Sequence, residues 1–366
     1  MLVTGLIGAR VAAGDDAPTT ISWDNSTRTL IEARASYGRL IRAKNGHILC
    51  GFEKRGQVWV KDGGEKGTAW KQEAVLVAKS EFGTVNNPEL LALRDGRVMY
   101  CCNQRPGDGV HHFAILMSLS EDDGRTWSAP RTLYEADTRF ENGCWEPAAL
   151  LLPSGEVQVY FSNESPYRTT NEQEITLLRS MDQARTWAAP VTVSLRRGSR
   201  DGMPVPLLLA DSPRGIAVAI EDNGLAGTFK PVIVYTPLED NWQSGPVAGD
   251  SPKRWSALRV PLDPSVYAGA PYLRQMPTGE TVLSVQCTEP GRNKPHMVVY
   301  VGDNRCRNFA GRSIPFGVDA DTPCMWNALF VKSKDVITAI GDTRIEGQRG
   351  LWAVDGRLGR AGAEQR

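Results

Sequence analysis

Six segments of the chain repeat one hydrophobic pattern: a short apolar run, a polar turn, and a second apolar run that ends in polar residues. The near-continuous apolar character of both runs predicts strands that are buried on two faces. Turns such as Asn-Gly, Asp-Gly and Ser-Gly between the runs predict β-hairpins. The six predicted hairpins are Tyr37–Lys54, Asn87–Asn103, Trp145–Glu164, Gly202–Glu221, Gly269–Gln286 and Trp326–Gly341.

The hairpins recur at a nearly constant interval. Equivalent positions are occupied by Pro88, Pro147, Pro204, Pro271 and Asn327, at steps of 59, 57, 67 and 56 residues. A unit of roughly sixty residues, with a buried hairpin followed by a more polar outer pair of strands, is typical of a propeller blade. The pattern therefore predicts an all-β fold, a six-bladed β-propeller of four-stranded blades.

The propeller is expected to fill residues 21–355. The last repeat has a third strand near residues 351–354 but too little chain for a fourth, so residues 28–33 are expected to supply it and close the ring. Residues 1–20 are expected to be a leader, either a remnant signal peptide or a disordered segment, and residues 356–366 a frayed tail. No Lys or Arg precedes Arg10, so a signal peptide is not clearly present. A secreted or periplasmic protein is nevertheless expected.

Composition excludes several classes of partner. The 366 residues carry 42 Lys and Arg against 42 Asp and Glu. This balance argues against binding to nucleic acid or to an anionic membrane surface. No window approaches 18 consecutive apolar residues, so no membrane span is expected. The seven cysteines and four histidines show no metal-binding spacing, so no metal or organic cofactor is predicted. We expect a monomer.

Two glutamates stand out where the predicted strands end. In a propeller, residues just before each first strand and just after each second strand meet at one mouth. Glu146 lies between Trp145 and Pro147 at the start of an apolar run, and Glu221 ends the buried run of the next blade. Carboxylates at the ends of buried strands in neighbouring blades are candidates for a pair with shifted pKa values. The mouth as a whole is rich in carboxylates, arginines and aromatic rings, which suits an oligo- or polysaccharide ligand.

Two turns carry a known signature. Ser120–Trp127 matches the Asp-box pattern Ser-x-Asp-x-Gly-x-Thr-Trp, and Ser180–Trp187 matches it with Ala184 in place of the glycine. The chain thereby resembles the propellers of the sialidase superfamily, in which the Asp box is a structural turn on the outer strands. The resemblance implies a sialidase-like propeller and says little about substrate.

Within that superfamily the chain most resembles glycoside hydrolase family 93, the exo-acting α-L-arabinanases. The matching segments are Gly143–Ala148, Val157–Glu164, Arg200–Val205, Ala219–Asp222 and Gly269–Tyr272. The resemblance implies a hydrolase that cleaves α-L-arabinofuranosyl linkages of arabinan-type glycans by a retaining two-glutamate mechanism.

The family's two glutamates fall on Glu146 and Glu221, the same pair that the predicted strand ends indicate. In such a mechanism one carboxyl group protonates the leaving oxygen while the other attacks the anomeric carbon. The sequence does not separate these roles. The residues expected to bind substrate or to orient the pair are Arg39, Asn87, Trp145, Glu164, Arg200, Asp201, Tyr272, Tyr300 and Trp326.

Three alternatives stay open. An exo-sialidase would grip a sugar carboxylate with Arg39, Arg200 and Arg274, and would use Tyr300 as nucleophile and Asp62 as acid. A propeller of this kind could also bind a glycan without cleaving it, since one fold hosts many functions. An exo-hydrolase of another glycan is the third interpretation, because the mouth has more arginines than a neutral arabinan needs, which leaves room for a uronate.

Overall fold

Six small sheets make up the described part of the protein. The computed structural model describes residues 18–360, whose regular structure is all β apart from one 3₁₀ helix, Phe140–Asn142. The strands form six four-stranded sheets, one of which has a short fifth strand at its edge. Within each sheet the four strands pair antiparallel, in chain order except in the last sheet, and the sheets are the six blades of a propeller. The predicted fold class is confirmed.

The first strand, β1 (Thr19–Ala33), belongs to the last blade. Blade 1 is β2 (Ser36–Arg42), β3 (Ile48–Lys54), β4 (Gln57–Asp62) and β5 (Val75–Ala78). Blade 2 is β6 (Gly83–Ala92), β7 (Val98–Pro106), β8 (Ala114–Ser120) and β9 (Arg131–Glu135). Blade 3 is β10 (Cys144–Leu151), β11 (Val157–Asn163), β12 (Glu174–Ser180) and β13 (Val191–Leu195).

The second half of the ring repeats this arrangement. Blade 4 is β14 (Asp201–Leu208), β15 (Gly215–Ala226), β16 (Thr228–Pro237) and β18 (Arg254–Ser256), while β17 (Val247–Ala248) joins the edge of blade 3. Blade 5 is β19 (Ala268–Gln275), β20 (Thr281–Cys287), β21 (His296–Gly302) and β22 (Ala310–Ser313). Blade 6 is β23 (Met325–Val331), β24 (Val336–Ile345) and β25 (Gln348–Arg360), with β1 outermost.

The ring is closed by the N-terminal strand. β1 pairs antiparallel with β25, from Thr19 opposite Arg360 to Ala33 opposite Gly350. Residues 28–33 therefore lie in the strand that the sequence predicts for them. The paired strands extend past the expected propeller bounds of 21 and 355, whereas residues 1–17 of the expected leader and 361–366 of the expected tail lie outside the described residues.

Every innermost strand carries a β-bulge at the same position. At each bulge one non-glycine residue has a left-handed backbone with φ between 47° and 57°, which is costly for a residue with a Cβ. Four of these residues, from blades 1, 4, 5 and 6, pack into one apolar cluster, which is possible only at the propeller axis. The six bulge residues thus form a ring around the mouth of the central channel; they are Tyr37, Asn87, Glu146, Met203, Ala270 and Trp326.

The two Asp boxes are closed turns between the third and fourth strands of blades 2 and 3. Asp122 accepts hydrogen bonds from the backbone N–H of Thr126 at 2.8 Å and of Arg125 at 3.1 Å, and from the Thr126 hydroxyl at 2.6 Å. Asp182 makes the same contacts in blade 3. Ala184 takes φ 66° where the intact box has Gly124 at φ 84°, so the turn survives the missing glycine.

Asp122→Ala should lower the free energy of unfolding by about 1–3 kcal/mol, because four donors of the turn, the Ser120 hydroxyl among them, lose their acceptor. Any activity that resides at the mouth should not change, because the turn lies at the ends of the outer strands and away from the mouth. Glu121→Ala is the matched control, since Glu121 is exposed in the same turn. Denaturant unfolding and activity assays on both variants test this. Equal losses in the two variants, or a fall in that activity, would contradict a purely structural Asp box.

Candidate active site

A second ring of polar side chains faces the bulges. In each blade the residue before the bulge pairs with one residue at the mouth end of the second strand. The six paired residues are Glu53, Asn103, Ser162, Glu221, Gln286 and Asp342. Glu146 of the first ring and Glu221 of the second come from the neighbouring blades 3 and 4. The structure thus places both predicted glutamates at the axial mouth.

Glu146 is a half-buried carboxylate held by a short chain of hydrogen bonds. Its Oε2 accepts from the Ser162 hydroxyl at 3.3 Å, and the same hydroxyl oxygen accepts from the backbone N–H of Met203 at 2.9 Å. Burial raises the pKa of Glu146 above its ordinary value, while the positive charge of Arg105 opposes that rise. The hydrogen bonds therefore fix the orientation of the Glu146 side chain, while burial and Arg105 have opposite effects on its ionisation.

Glu221 lies in a space that two glycines leave open. A Cβ at Gly269 would come within 2.4 Å of Glu221 Oε2, and a Cβ at Gly202 within 3.0 Å of Oε1. The backbone N–H of Ala270 donates to Oε2 at 2.7 Å. Burial first, and the negative charge of Glu146 second, raise the pKa of Glu221 to about 8. At neutral pH this carboxyl group therefore holds a proton, as a general acid must.

Glu164 connects three of the predicted site residues. Its side chain accepts from Trp145 Nε1 at 3.1 Å and forms an ion pair with Arg200, which also donates to Gln173 Oε1 at 2.6 Å. Burial raises the pKa of Glu164, and Arg200 opposes that rise. The Trp145 ring has the guanidinium of Arg105 5.0 Å from its centroid. This cluster fixes the wall beside Glu146.

Arg39 and Tyr272 lie deeper in the channel, beneath the ring. The Arg39 guanidinium is only 4% exposed and is held between the rings of Tyr37, at 4.0 Å, and Tyr272, at 4.7 Å. Its Nε lies 3.8 Å from the carboxylate of Glu89. Arg274 donates to the Tyr272 hydroxyl at 2.6 Å. These residues form a charged floor to the mouth.

Asn87 and Trp326 are ring members, as the sequence predicts for the mouth. Asn87 is buried, accepts from Arg105 through its side chain, and donates its backbone N–H to Glu53 Oε2 at 3.1 Å. The Trp326 ring is half-buried and lies 5.7 Å from the ring of Tyr37.

The structure places two predicted substrate-binding residues elsewhere. Asp201 is fully buried, and its carboxylate accepts hydrogen bonds from Arg254 and from the Ser194 hydroxyl. It therefore lies beneath the surface of the mouth and not on it. Tyr300 lies on β21, the third strand of blade 5, within the largest apolar cluster. Asp62, the candidate sialidase acid, binds His47 and Lys71 at the far end of the third strand of blade 1. The nucleophile and the acid of the sialidase alternative, Tyr300 and Asp62, are therefore not at the mouth. Its three arginines, Arg39, Arg200 and Arg274, do lie in the wall and floor of the mouth.

Three further residues of the mouth are not among the substrate-binding residues predicted from the sequence. Arg105 lies on β7, two positions after Asn103, and Ser162 occupies in blade 3 the position equivalent to Glu221. The repeat itself predicts both positions. Tyr267 lies against Gly269, and its hydroxyl accepts from Gln286 Nε2 at 3.3 Å. Its pKa is raised, chiefly by burial and then by the charge of Glu221. An aromatic residue just before the first strand was the available signal.

Metal and membrane features are missing from the described part of the chain. Between residues 18 and 360 no group of three or more His, Cys, Asp or Glu side chains is placed to hold a metal ion. All seven cysteines are buried free thiols. In the same range no helix has the length and apolar character needed to cross a membrane.

Comparison with known proteins identifies the fold. No protein-family model matches the chain, and no curated protein matches it. Among solved structures, a protein of unknown function from Dyadobacter fermentans DSM 18053 matches with a TM-score of 0.68 and 15% identity, over 93% of this chain and 99% of the other.

Two glycoside hydrolases also match. The GH93 α-L-arabinofuranosidase of Fusarium graminearum, in complex with arabinobiose, matches with a TM-score of 0.67 and 16% identity, over 90% of this chain and 97% of the other. The NanB sialidase of Streptococcus pneumoniae gives a TM-score of 0.58 and 11% identity, over 90% of this chain and 70% of the other. The chain thus has the sialidase-like six-bladed propeller fold that GH93 arabinanases share.

Proposed function

We propose that the protein is an exo-acting glycoside hydrolase that cleaves α-L-arabinofuranosyl linkages with retention of configuration. The observation that carries the proposal is the pair Glu146 and Glu221, two carboxyl groups from neighbouring blades at the axial mouth, with the charge of one raising the pKa of the other. Retaining glycosidases need two such groups, one as nucleophile and one as acid and base. The fold shared with a GH93 α-L-arabinofuranosidase supports the choice of linkage.

The surroundings of the pair favour one assignment of roles. Arg105 and the Ser162 hydroxyl favour the charged form of Glu146, which suits a nucleophile. Glu221 keeps its proton to about pH 8, which suits the general acid. Glu146 would attack the anomeric carbon while Glu221 protonates the departing glycosidic oxygen, giving a glycosyl ester on Glu146.

The same electrostatic coupling supports the second half of the reaction. Once Glu146 is esterified its negative charge is gone, so one of the two causes that raise the pKa of Glu221 disappears. The Glu221 carboxylate formed in the first step is then a base that takes a proton from water. The water oxygen attacks the anomeric carbon, the ester bond to Glu146 breaks, and both side chains return to their starting states.

Linear α-1,5-arabinan, assayed beside a fluorogenic sialoside, tests the proposed activity. We expect short arabinose products released from chain ends and no cleavage of the sialoside. Cleavage of the sialoside alone would replace the proposal with a sialidase. Binding of arabinan with no product would leave a glycan-binding propeller.

The pH dependence of kcat/KM should show a basic limb near pH 8. Above that pH Glu221 loses its proton in the free enzyme and can no longer protonate the leaving oxygen. Initial rates on arabinan at low substrate concentration, measured from pH 4 to 10 with stability checked at each pH, test this. A plateau that continues beyond pH 9 would contradict the role assigned to Glu221.

A further inference from the structure

A groove runs over the mouth face of blade 6, on both sides of the turn between β24 and β25. One cavity of about 660 Å³ is lined by residues 33–36 and by the β24–β25 turn. A second cavity of about 450 Å³ is lined by residues 321–323, by Trp326 and by the same turn. The two cavities share Asp342, Arg344 and Arg349. We call them together the arginine groove, after Arg34, Arg344 and Arg349.

The charges of the arginine groove do not cancel, because three arginines line it against two carboxylates, Asp342 and Asp321. Arg349 pairs with Asp342 at 3.2 Å, and this carboxylate is buried. Arg344 is exposed and donates to the backbone oxygen of Gly347 at 3.0 Å. Arg34 is also exposed, and within residues 18–360 no carboxylate lies within ion-pair distance of Arg34 or Arg344. Two guanidinium groups are therefore available to an anion.

The arginine groove opens onto the axial mouth. Trp326, which lines the second cavity, belongs to the bulge ring that also contains Glu146. Glu146 and Glu221 line neither cavity, so the groove lies beside the site of cleavage. An oligosaccharide whose terminal residues occupy the axial mouth would extend past the Trp326 ring into the groove.

We infer that the arginine groove binds a carboxylate-bearing sugar residue, a uronate, that lies beyond the cleaved linkage of the substrate. The inference rests on the proposed hydrolase function. It specifies the substrate class as an arabinan that carries a uronate residue beyond the cleaved linkage. A guanidinium group presents paired N–H donors that match the two oxygens of a carboxylate. A neutral sugar would leave these charges unused.

The test uses two α-1,5-arabino-oligosaccharides that differ in one functional group. One carries a galacturonate residue at its reducing end, and in the other the carboxylate is reduced so that this residue is galactose. Calorimetry at low ionic strength with the Glu146→Gln protein gives the dissociation constants without cleavage, and initial rates with the unmodified protein give hydrolysis. We expect the uronate form to bind about tenfold more tightly, as two charge-assisted contacts allow.

The preference should depend on the groove and on salt. In Arg34→Gln/Arg344→Gln the ratio of the two dissociation constants should fall close to one. In the protein that keeps both arginines, 0.5 M NaCl should have the same effect, because salt screens exposed charges. Arg125→Gln/Arg185→Gln is the control, since it removes two exposed arginines from the Asp-box turns at the other end of the blades.

The outcomes separate the two proposals. Equal dissociation constants in the unmodified groove, no binding of either ligand, or an equal loss in the control would overturn the inference. A tenfold preference without hydrolysis of either oligosaccharide would leave the groove standing and overturn the hydrolase. Hydrolysis of both oligosaccharides, bound with equal affinity, would support the hydrolase and overturn the inference about the arginine groove.

Discussion

Glu146→Gln and Glu221→Gln are each expected to lower kcat on arabinan by about 10³-fold or more, with the fold intact. The first replacement removes the nucleophile, and the second removes the proton that the leaving oxygen needs. Glutamine has the size of glutamate, so the hydrogen bonds from Ser162 and from the Ala270 N–H can still be accepted by an amide oxygen. Substrate binding should therefore be kept.

Glu53→Gln is the matched control, because Glu53 occupies in blade 1 the strand position that Glu221 occupies in blade 4. It is fully engaged by Ser36, Asn86 and the backbone N–H of Asn87. We expect a change in kcat of less than about fivefold, since it lies outside the pair. Steady-state kinetics on all three variants decide the matter. A similar loss of kcat in all three variants would mean that catalysis needs every carboxylate at the mouth, and would contradict a special role for this pair.

A second signature of Glu221→Gln is a gain in stability at alkaline pH. The pKa of Glu221 is raised from its ordinary value of 4.5 to about 8 in the folded protein. Between these values the folded state holds a proton that the unfolded state does not, so the stabilising contribution of this group is complete below pH 4.5 and is lost as the pH rises towards 8. Glutamine does not ionise in this pH range, so the variant does not lose this stability. It should therefore melt at a higher temperature than the unmodified protein at pH 8.

Arg254→Met is expected to lower the free energy of unfolding by about 3–5 kcal/mol, the second large effect. Arg254 lies on β18, the outermost strand of blade 4, with its side chain 2% exposed. It donates to Asp201 Oδ2 at 2.9 Å and to Asp222 Oδ2 at 3.2 Å, and both carboxylates are fully buried. The replacement leaves Asp201 without a cation and leaves Asp222 with Arg196 alone.

Urea unfolding measures this loss, and Arg357→Met provides the matched control. Arg357 pairs with Asp335 on the surface of blade 6, where both side chains are more than half exposed. An exposed ion pair contributes little because water and salt screen it, so this variant should behave like the unmodified protein. Comparable losses in the two variants would show that the buried cluster does not hold blade 4 together.

Much of the fold could be predicted from local sequence. The six hairpins and the strand at residues 28–33 are confirmed, because apolar runs and turn residues specify strands over short distances. The bulge ring could not be predicted, since a left-handed backbone at Tyr37, Glu146 or Trp326 contradicts the preference of each residue taken alone. It is imposed by the packing of six strands around one axis.

The site shows the same division between local and distant information. Glu146 and Glu221 could be found from strand ends because each lies at a repeated position of its own blade. The same reasoning predicts Asp201 at the mouth, yet Arg254, 53 residues later, holds it in the interior. No local sequence pattern predicts an ion-pair partner so far along the chain. The sequence predicts surplus arginines at the mouth but not the arginine groove, because Arg34 and Arg344 lie 310 positions apart and line one cavity only when β1 closes the ring.

A retaining reaction at the Glu146–Glu221 pair can be tested by the stereochemistry of glycosyl transfer to methanol. Arabinan is incubated with the enzyme in dilute methanol, and the methyl glycosides formed are identified by NMR from the anomeric proton. Two successive displacements at the anomeric carbon predict methyl α-L-arabinofuranosides, with a signal that disappears in Glu146→Gln. Methyl β-glycosides, or α-glycosides that persist undiminished in that variant, would contradict a double displacement at this pair.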